Sequence, residues 1–207
     1  MKKKRILAIG AHPDDIEFGC AGTLINCTDK GHEVALLLMT KGGQGGGQAV
    51  REAEQEKALD VMGVKSAFWA GYQDTRIPLG REPIERIEEV LRQVKPEVIF
   101  CSFFDDTHQD HRNMAHAVMS ATRYVPNVLF YEGPTTQNFN PHVFTDIEKN
   151  LDRKMEALRA HASQVMKTNI AGISILEMAH SCANFRGIQA RVKFAEAFYA
   201  QRYFADI

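Results

Sequence analysis

The chain of 207 residues lacks several features that would place it in a function class at once. It has no excess of either charge, since 25 lysines and arginines stand against 26 aspartates and glutamates, so we expect no nucleic-acid or membrane partner. No uninterrupted apolar run reaches membrane-spanning length. The basic residues 2–5 precede an apolar stretch that is too short for a signal peptide, so we expect a cytoplasmic protein.

Cysteine is scarce, and the four present are scattered without a Cys-x-x-Cys pair. Three of them lie among apolar or small residues, which is typical of free buried thiols. We therefore expect thiols in a reducing compartment and no disulfide framework, at positions Cys20, Cys27, Cys101 and Cys182.

Nucleotide-binding glycine motifs are also missing. Residues 42–47 are rich in glycine but lack the Gly-Lys-Ser/Thr ending of a phosphate-binding loop. Gly10 is followed by Ala-His-Pro, so the opening strand does not lead into Gly-x-Gly-x-x-Gly. We interpret residues 42–47 as a mobile loop at the rim of a pocket.

What the sequence does contain is an alternation of short apolar runs with amphipathic stretches. Strands are predicted at residues 5–9, 33–40, 67–70, 97–102 and 128–131. Helices are predicted at residues 16–30, 49–62, 83–94 and 113–124. This order predicts an α/β fold with a Rossmann-like, doubly wound, mostly parallel sheet and helices on both faces, in a single domain over residues 1–207.

The pattern loosens after residue 131. Residues 142–146 are compatible with an added strand, and residues 148–161 with a helix. The aromatic residues near the end have helical spacing, so residues 186–204 are predicted as a terminal helix that packs in the core or against another subunit.

Two short polar segments carry most of the chemistry. Residues 11–15 read Ala-His-Pro-Asp-Asp and follow the first strand, while residues 106–111 read Asp-Thr-His-Gln-Asp-His and follow a later one. In a doubly wound sheet the carboxyl ends of such strands meet at one edge, where the topology switches. Imidazole and carboxylate side chains together suit Zn²⁺ or Fe²⁺.

A catalytic zinc site needs three protein ligands and one open position, and His12, Asp15 and His111 would supply the ligands. Asp14 then remains as the base that takes a proton from water. His108 is left to protonate a leaving group or stabilise an oxyanion, held in its tautomer by Asp110.

Each assignment has a simpler structural alternative. Asp14 or Asp15 taken alone could be a helix N-cap, and the segment around His108 could be a solvated loop that caps a helix. The pair Asp105–Asp106 is assigned to capping and solvation, with orientation of His108 by Asp106 left open.

The two segments also carry a family resemblance. Ala-His-Pro-Asp-Asp at residues 11–15, Gly-x-x-Gly-Thr at residues 19–23 and His-x-Asp-His at residues 108–111 resemble the LmbE-like, or PIG-L, metal-dependent N-deacetylases. Weaker matches follow in the family's order, among them Arg-Glu-x-Glu at residues 51–54 and Gly-x-x-Asp at residues 71–74. Ile16 stands where many members have glutamate.

The resemblance implies removal of acetyl from an N-acetylglucosamine-type amino sugar or sugar conjugate, with Zn²⁺ or Fe²⁺ as cofactor. It implies that the metal ligands are His12, Asp15 and His111, that the base is Asp14, and that proton transfer and oxyanion stabilisation fall to His108 with Asp110. It also implies that Arg51 faces the substrate. The alternative for Arg51 is a charge on the helix surface that pairs with Glu54 or Gln55. It also implies a homo-oligomer, up to a hexamer. Two rival functions are a metal-dependent hydrolase of another amide or an ester, and a non-catalytic metal- or sugar-binding module.

Overall fold

A computed structural model describes residues 2–204, in which strands and helices alternate. The strands are β1 (Arg5–Gly10), β2 (Glu33–Thr40), β3 (Ser66–Tyr72), β4 (Val98–Ser102), β5 (Asn127–Tyr131), β6 (Val143–Asp146) and β7 (Ala195–Arg202). The helices are α1 (Asp15–Asp29), α2 (Gln48–Met62), α3 (Arg81–Val94), α4 (Gln109–Ala121), α5 (Leu151–Ala160) and α6 (Ile175–Ala190), with a 3₁₀ turn at Glu148–Asn150. The strands predicted up to residue 146 and the helix predicted at residues 148–161 are confirmed.

The strands form one sheet in the order β3-β2-β1-β4-β5-β7-β6. The first five in that order run parallel, and β7 is antiparallel to both β5 and β6. Strand β1 pairs with β2 on one side and β4 on the other, so the direction of winding reverses between β1 and β4. The predicted Rossmann-like, doubly wound sheet is confirmed, and its switch point lies where the two polar segments begin.

Apolar layers cover both faces of the sheet, as the predicted topology requires. One layer joins the sheet to α3 and α4 through residues such as Ile87 and Met114, and the other joins it to α1 and α2 through residues such as Leu24 and Met62. All four cysteines are free, with two of them fully buried, as the prediction of free thiols expects. No helix within residues 2–204 is long and apolar enough to cross a membrane.

Helix α1 lies unusually close to its neighbours because two of its residues are glycines. A Cβ atom at Gly19 would overlap the ring of Tyr131, and one at Gly22 would lie 2.8 Å from a methyl group of Ile147. The glycine spacing seen in the sequence therefore permits close packing of the helix that follows the first polar segment.

A buried ion pair joins α1, α5 and β7. Lys154 on α5 is 2% exposed, and its Nζ lies 2.5 Å from Oε1 of Glu196 on β7. Lys154 Nζ also donates to the carbonyl of Phe18, while Glu196 accepts from the backbone N–H groups of Gly22 and Thr23. Because breaking such a pair leaves a buried charge without compensation, these contacts tie the C-terminal strand to the first helix.

The predicted helix at residues 186–204 is wrong. Helix α6 ends at Ala190, and residues 195–202 form β7 between β5 and β6. Phe198 is completely buried in the sheet, so its tertiary environment overrides the helical spacing of the aromatic residues. The reversal between α6 and β7 is tight, since a Cβ at Gly187 would lie 2.5 Å from the carbonyl oxygen of Lys193.

Candidate metal centre and active site

A cavity of about 390 Å³ opens at the carboxyl ends of β1 and β4. Residues 11–15 leave β1 and begin α1, and residues 103–108 leave β4 and lead into α4. His12, Asp14 and Asp15 from the first segment and His108 and His111 from the second all line the cavity. The structure thus brings the two polar segments together at the switch point.

Three side chains in this cavity could hold one metal ion. The ligand atoms of His12, Asp15 and His111 all lie within 4.8 Å of one another. Oδ2 of Asp15 is central, since it lies 3.5 Å from Nδ1 of His12 and 3.3 Å from Nε2 of His111. The structure therefore groups the three residues that the sequence predicts as ligands.

The chemistry of this group fits a divalent cation. Nε2 of His111 is buried, faces Asp15 and has no hydrogen-bond partner among the described residues. Burial acts to raise the pKa of Asp15, but His111 and His12 outweigh it and hold that pKa well below its usual range. Burial also opposes protonation of His111, yet Asp15 and Asp106 raise its pKa to about 10. A cation bound here would replace that proton as the charge that neutralises Asp15.

Carboxylates flank both imidazoles on the sides that face away from Asp15. Nε2 of His12 lies 3.0 Å from Oδ1 of Asp74 and 3.3 Å from Oδ2 of Asp110, and Nδ1 of His111 lies 3.2 Å from Oδ2 of Asp106. A carboxylate on the outer nitrogen holds the proton there and leaves the inner nitrogen free to bind a metal.

The predicted partner of Asp110 needs correction. Its carboxylate contacts His12 and accepts hydrogen bonds from the backbone N–H groups of Thr75 and Ile77, and it makes no hydrogen bond to His108 within residues 2–204. Asp110 does contact His108, but through its backbone N–H, which donates to Nδ1 of the imidazole at 3.2 Å. The side chain of Asp110 thus faces His12, one of the predicted metal ligands.

His108 is the N-cap of α4, and this capping bond defines its tautomer. Because Nδ1 accepts from a backbone N–H, the neutral ring carries its proton on Nε2. Burial lowers the pKa of His108, and the charges of His12 and His111 lower it further. The ring stacks on His111 with 4.8 Å between centroids and lines the cavity, so it offers a neutral N–H donor beside the ligand group.

Asp14 occupies a left-handed backbone conformation, with φ at 94°. Burial raises its pKa to about 6, although the guanidinium of Arg51, 3.2 Å from Oδ2, acts in the opposite direction. A carboxylate with such a pKa is suited to accept a proton near neutral pH. Asp14 lies one position before the predicted ligand Asp15 and lines the same cavity, a position that is compatible with the predicted role as base.

A comparison with protein families identifies the chain. The family described as "PIG-L: GlcNAc-PI de-N-acetylase" matches residues 7–122, which contain both polar segments. The chain belongs to the PIG-L family. This membership confirms the resemblance drawn from residues 11–15 and 108–111.

Relatives of this PIG-L protein are deacetylases by name. The Escherichia coli K12 protein "Uncharacterized deacetylase YaiS" is 37% identical over 171 residues, which cover 78% of this chain and 92% of the relative. The "Diacetylchitobiose deacetylase" of Thermococcus kodakarensis is 29% identical over 187 residues, covering 78% and 70%. These relatives confirm the prediction that the chain is an enzyme of the N-deacetylase class.

A solved structure is similar to this chain in fold. The conserved protein TT1542 from Thermus thermophilus superposes with a TM-score of 0.87 and is 24% identical in sequence. The match covers 99% of this chain and 97% of that one, so the two chains share the fold over nearly their whole length.

Arg51 of the PIG-L chain lines the cavity but is not a surface charge, because it is only 5% exposed. It does not pair with Glu54, whose carboxylate instead accepts two hydrogen bonds from Ser163. The surface alternative for Arg51 is therefore wrong, while its substrate-facing role stays a prediction.

Sequence reasoning missed two carboxylates of this site. Asp74 lies next to His12 but far from it in sequence, so only the weak Gly-x-x-Asp match at residues 71–74 pointed to it. Asp106 was assigned to capping and solvation, yet it is 4% exposed and accepts hydrogen bonds from Thr135 and Thr136 while its carboxylate faces His111. No local spacing identifies this contact, because Asp106 lies before α4 and reaches His111 only through the turn that leads into the helix.

Asp106→Asn is expected to lower the affinity for Zn²⁺ by about 10- to 100-fold, because the amide no longer supplies the charge that orients Nε2 of His111 toward the metal. Titration calorimetry on the metal-free protein measures this. Asp105→Asn is the matched control, since the Asp105 carboxylate bonds to Asn138 and should leave the affinity unchanged. Equal affinities in both variants would remove Asp106 from the metal centre.

Proposed function

We propose that this PIG-L protein hydrolyses the acetamide of an N-acetylglucosamine-type amino sugar or sugar conjugate, giving acetate and a free amine. Zn²⁺, or alternatively Fe²⁺, would be held by His12, Asp15 and His111. The observation that carries the proposal is that one cavity holds this ligand group, a carboxylate with raised pKa and a neutral imidazole N–H donor. The deacetylase relatives, one of them named for diacetylchitobiose, support the same substrate class.

Asp14 performs the first proton transfer in this proposal. When bound, the metal supplies a Lewis acid that polarises the acetamide carbonyl and makes water more acidic. The Asp14 carboxylate accepts the proton of the attacking water as the new C–O bond forms. Its pKa of about 6 leaves it largely deprotonated at neutral pH, yet basic enough to take that proton.

His108 stabilises the oxygen of the reacting carbonyl in this proposal. Its Nε2–H donates a hydrogen bond to the carbonyl oxygen, which gains negative charge as water adds. When the C–N bond breaks, the leaving nitrogen takes the proton that Asp14 accepted from water, which returns Asp14 to its carboxylate form, and the amine and acetate depart. The neutral ring gives this donor without adding a positive charge next to His12 and His111.

The size of the cavity supports a sugar that carries a further group. The cavity at the metal centre, about 390 Å³, lies at the lower end of the range for small-molecule sites. An outer cavity of about 600 Å³ adjoins it. The two share the lining residues Gln44, Gly45, Gln164, Lys167 and Asn169. We propose that the acetamide lies in the inner cavity and the rest of a conjugate in the outer one.

Purified protein supplied with Zn²⁺ or Fe²⁺ is expected to release acetate and primary amine in equal amounts from N-acetylglucosamine or N,N'-diacetylchitobiose. A chelator should remove about one metal per chain together with the activity, because one group of three ligands forms a single site. Acetate is measured enzymatically, amine by fluorescent labelling and metal by atomic emission. Hydrolysis of an O-acetyl ester without amine release would favour the rival hydrolase, and full turnover without metal would overturn the proposal.

We further propose that the protein is a homo-oligomer and that it is located in the cytoplasm. A homo-oligomer, up to a hexamer, would cover exposed apolar side chains that include Phe185, Ile188, Tyr203 and Phe204. The cytoplasmic location is inferred from the sequence, and the four free thiols are compatible with it.

A further inference from the structure

Arg51 directs its guanidinium into the protein. It lies in the first turn of α2. Its Nη2 donates to the carbonyl of Pro13 and lies 3.2 Å from Oδ2 of Asp14, and its Nη1 donates to the carbonyl of Gly42 at 3.3 Å. Both terminal nitrogens thus have partners in the segment after β1 or in the glycine-rich loop.

Arg51 contacts the backbone carbonyl before Asp14 and the side chain of Asp14 itself, and Asp14 has a strained backbone. Asp14 has φ 94° and ψ −24°, a left-handed conformation that is unfavourable for a residue with a side chain. Arg51 holds the carbonyl before Asp14 and the carboxylate of Asp14 with the same Nη2 nitrogen. One side chain therefore fixes the peptide and the side chain of the proposed base together.

The glycine-rich loop forms the other side of this arrangement. A Cβ atom at Gly42 would lie 2.6 Å from Nη1 of Arg51, and one at Gly45 would lie 2.5 Å from the same atom. Side chains at these two positions would displace the guanidinium. The absence of Cβ atoms at Gly42 and Gly45 thus makes the space that Arg51 occupies beside Asp14.

We propose that Arg51 is a positioning residue, which holds the Asp14 carboxylate at the reacting water, and that Gly42 and Gly45 hold Arg51 in place. This inference rests on the proposed function, in which Asp14 is the base. It differs from the substrate-facing role that the family resemblance implies. A substrate contact would change KM, whereas a misplaced base would change kcat.

Arg51→Lys and Arg51→Ala separate these two roles. Neither variant can hold the Pro13 carbonyl and the Asp14 carboxylate as the guanidinium does, so kcat is expected to fall by about 10²-fold while KM and bound metal stay close to wild type. Guanidinium chloride at millimolar concentration should restore part of the kcat of Arg51→Ala. Metal content and thermal unfolding are measured on the same preparations, and Arg186→Lys, which alters a buried arginine paired with Glu132 elsewhere, serves as the control.

Two alanine substitutions in the loop test the same idea without altering Arg51. Gly45→Ala places a methyl group against the guanidinium and is expected to lower kcat in the same direction as Arg51→Lys. Gly47→Ala is the matched control, because its Cβ would lie 3.7 Å from Val50, an ordinary contact, and its φ of −62° suits alanine. Gly47→Ala should keep wild-type kcat and KM.

The outcomes distinguish the inference from the function on which it rests. If wild-type protein with metal deacetylates none of the amino sugars, the proposed function fails. If wild type is active but Arg51→Lys and Arg51→Ala raise KM at unchanged kcat, Arg51 binds substrate and the inference is overturned. Equal effects of Gly45→Ala and Gly47→Ala on kcat would also overturn it. Should the Arg51 variants not fold, the two glycine variants decide alone.

Discussion

Asp14→Asn is expected to lower kcat by about 10²- to 10⁴-fold while the protein keeps one metal per chain and its affinity for substrate. Asparagine has the size of aspartate and an oxygen that can face Arg51, but it cannot accept the proton of the attacking water. Steady-state kinetics give kcat, and titration calorimetry gives metal binding. The loss should therefore appear in turnover and not in the metal content.

Asp15→Asn is the matched variant, because it makes the same chemical change at the adjacent residue. Oδ2 of Asp15 lies between the inner nitrogens of His12 and His111, at 3.5 Å and 3.3 Å, so its replacement by a neutral amide should weaken metal binding first. Excess metal should restore part of the activity of Asp15→Asn and none of that of Asp14→Asn. If Asp14→Asn loses metal while Asp15→Asn binds it normally, the two roles are reversed.

The pH profile of the wild type bears on the same residue. Asp14 must be deprotonated to act as a base, and burial raises its pKa to about 6 against the opposing effect of Arg51. kcat/KM should therefore fall as the pH decreases through this region. A bound cation would lower the pKa of Asp14, as Arg51 does. The acidic limb of the kcat/KM profile should therefore lie at or below pH 6 in the metal-loaded enzyme.

His111→Ala and His108→Ala are expected to fail in different ways. His111 supplies a nitrogen to the ligand group, so its loss should abolish metal binding and, with it, activity. His108 supplies the Nε2–H donor, so its loss should keep the metal and lower kcat by about 10²- to 10⁴-fold. Metal analysis after dialysis and kcat for both variants measure the difference.

These two variants are informative as a pair because the two imidazoles stack on one another, with centroids 4.8 Å apart, and belong to the same helix turn. A general disturbance of this turn would reduce metal content in both variants alike. That outcome would contradict the division of roles between His108 and His111. His116→Ala, farther along α4 and outside the cavity lining, is the control for damage to the helix itself.

The sequence predicted those parts of the site that follow from local order. His12, Asp14 and Asp15 come directly after a strand that begins the chain's α/β alternation, and His111 follows a second parallel strand. The rule that carboxyl ends of such strands meet at the switch point was enough to bring them together. The order of strands and polar segments along the chain was therefore sufficient to predict that these side chains lie in one cavity.

Side-chain contacts between segments that are distant in sequence could not be predicted from the spacing of the residues. Asp74 reaches His12 from the loop after β3, and the carboxylate of Asp110 faces His12 and not its sequence neighbour His108. Neither orientation follows from spacing, since both depend on how the loop at Thr75 folds over α4. For the same reason β7 was predicted as a helix, because pairing with β5 and β6 decides its conformation.

The ion pair between Lys154 and Glu196 has a consequence for the order of assembly during synthesis. Residues 2–160 emerge from the ribosome with β1 to β6 and α1 to α5, but the carboxylate that accepts from Gly22 and Thr23 lies in β7. Until β7 is translated, the ammonium of Lys154 has no counter-charge from Glu196, and β5 lacks one of its neighbours. The contacts that tie α1 and α5 to the C-terminal end of the sheet can therefore form only after the last strand has left the ribosome.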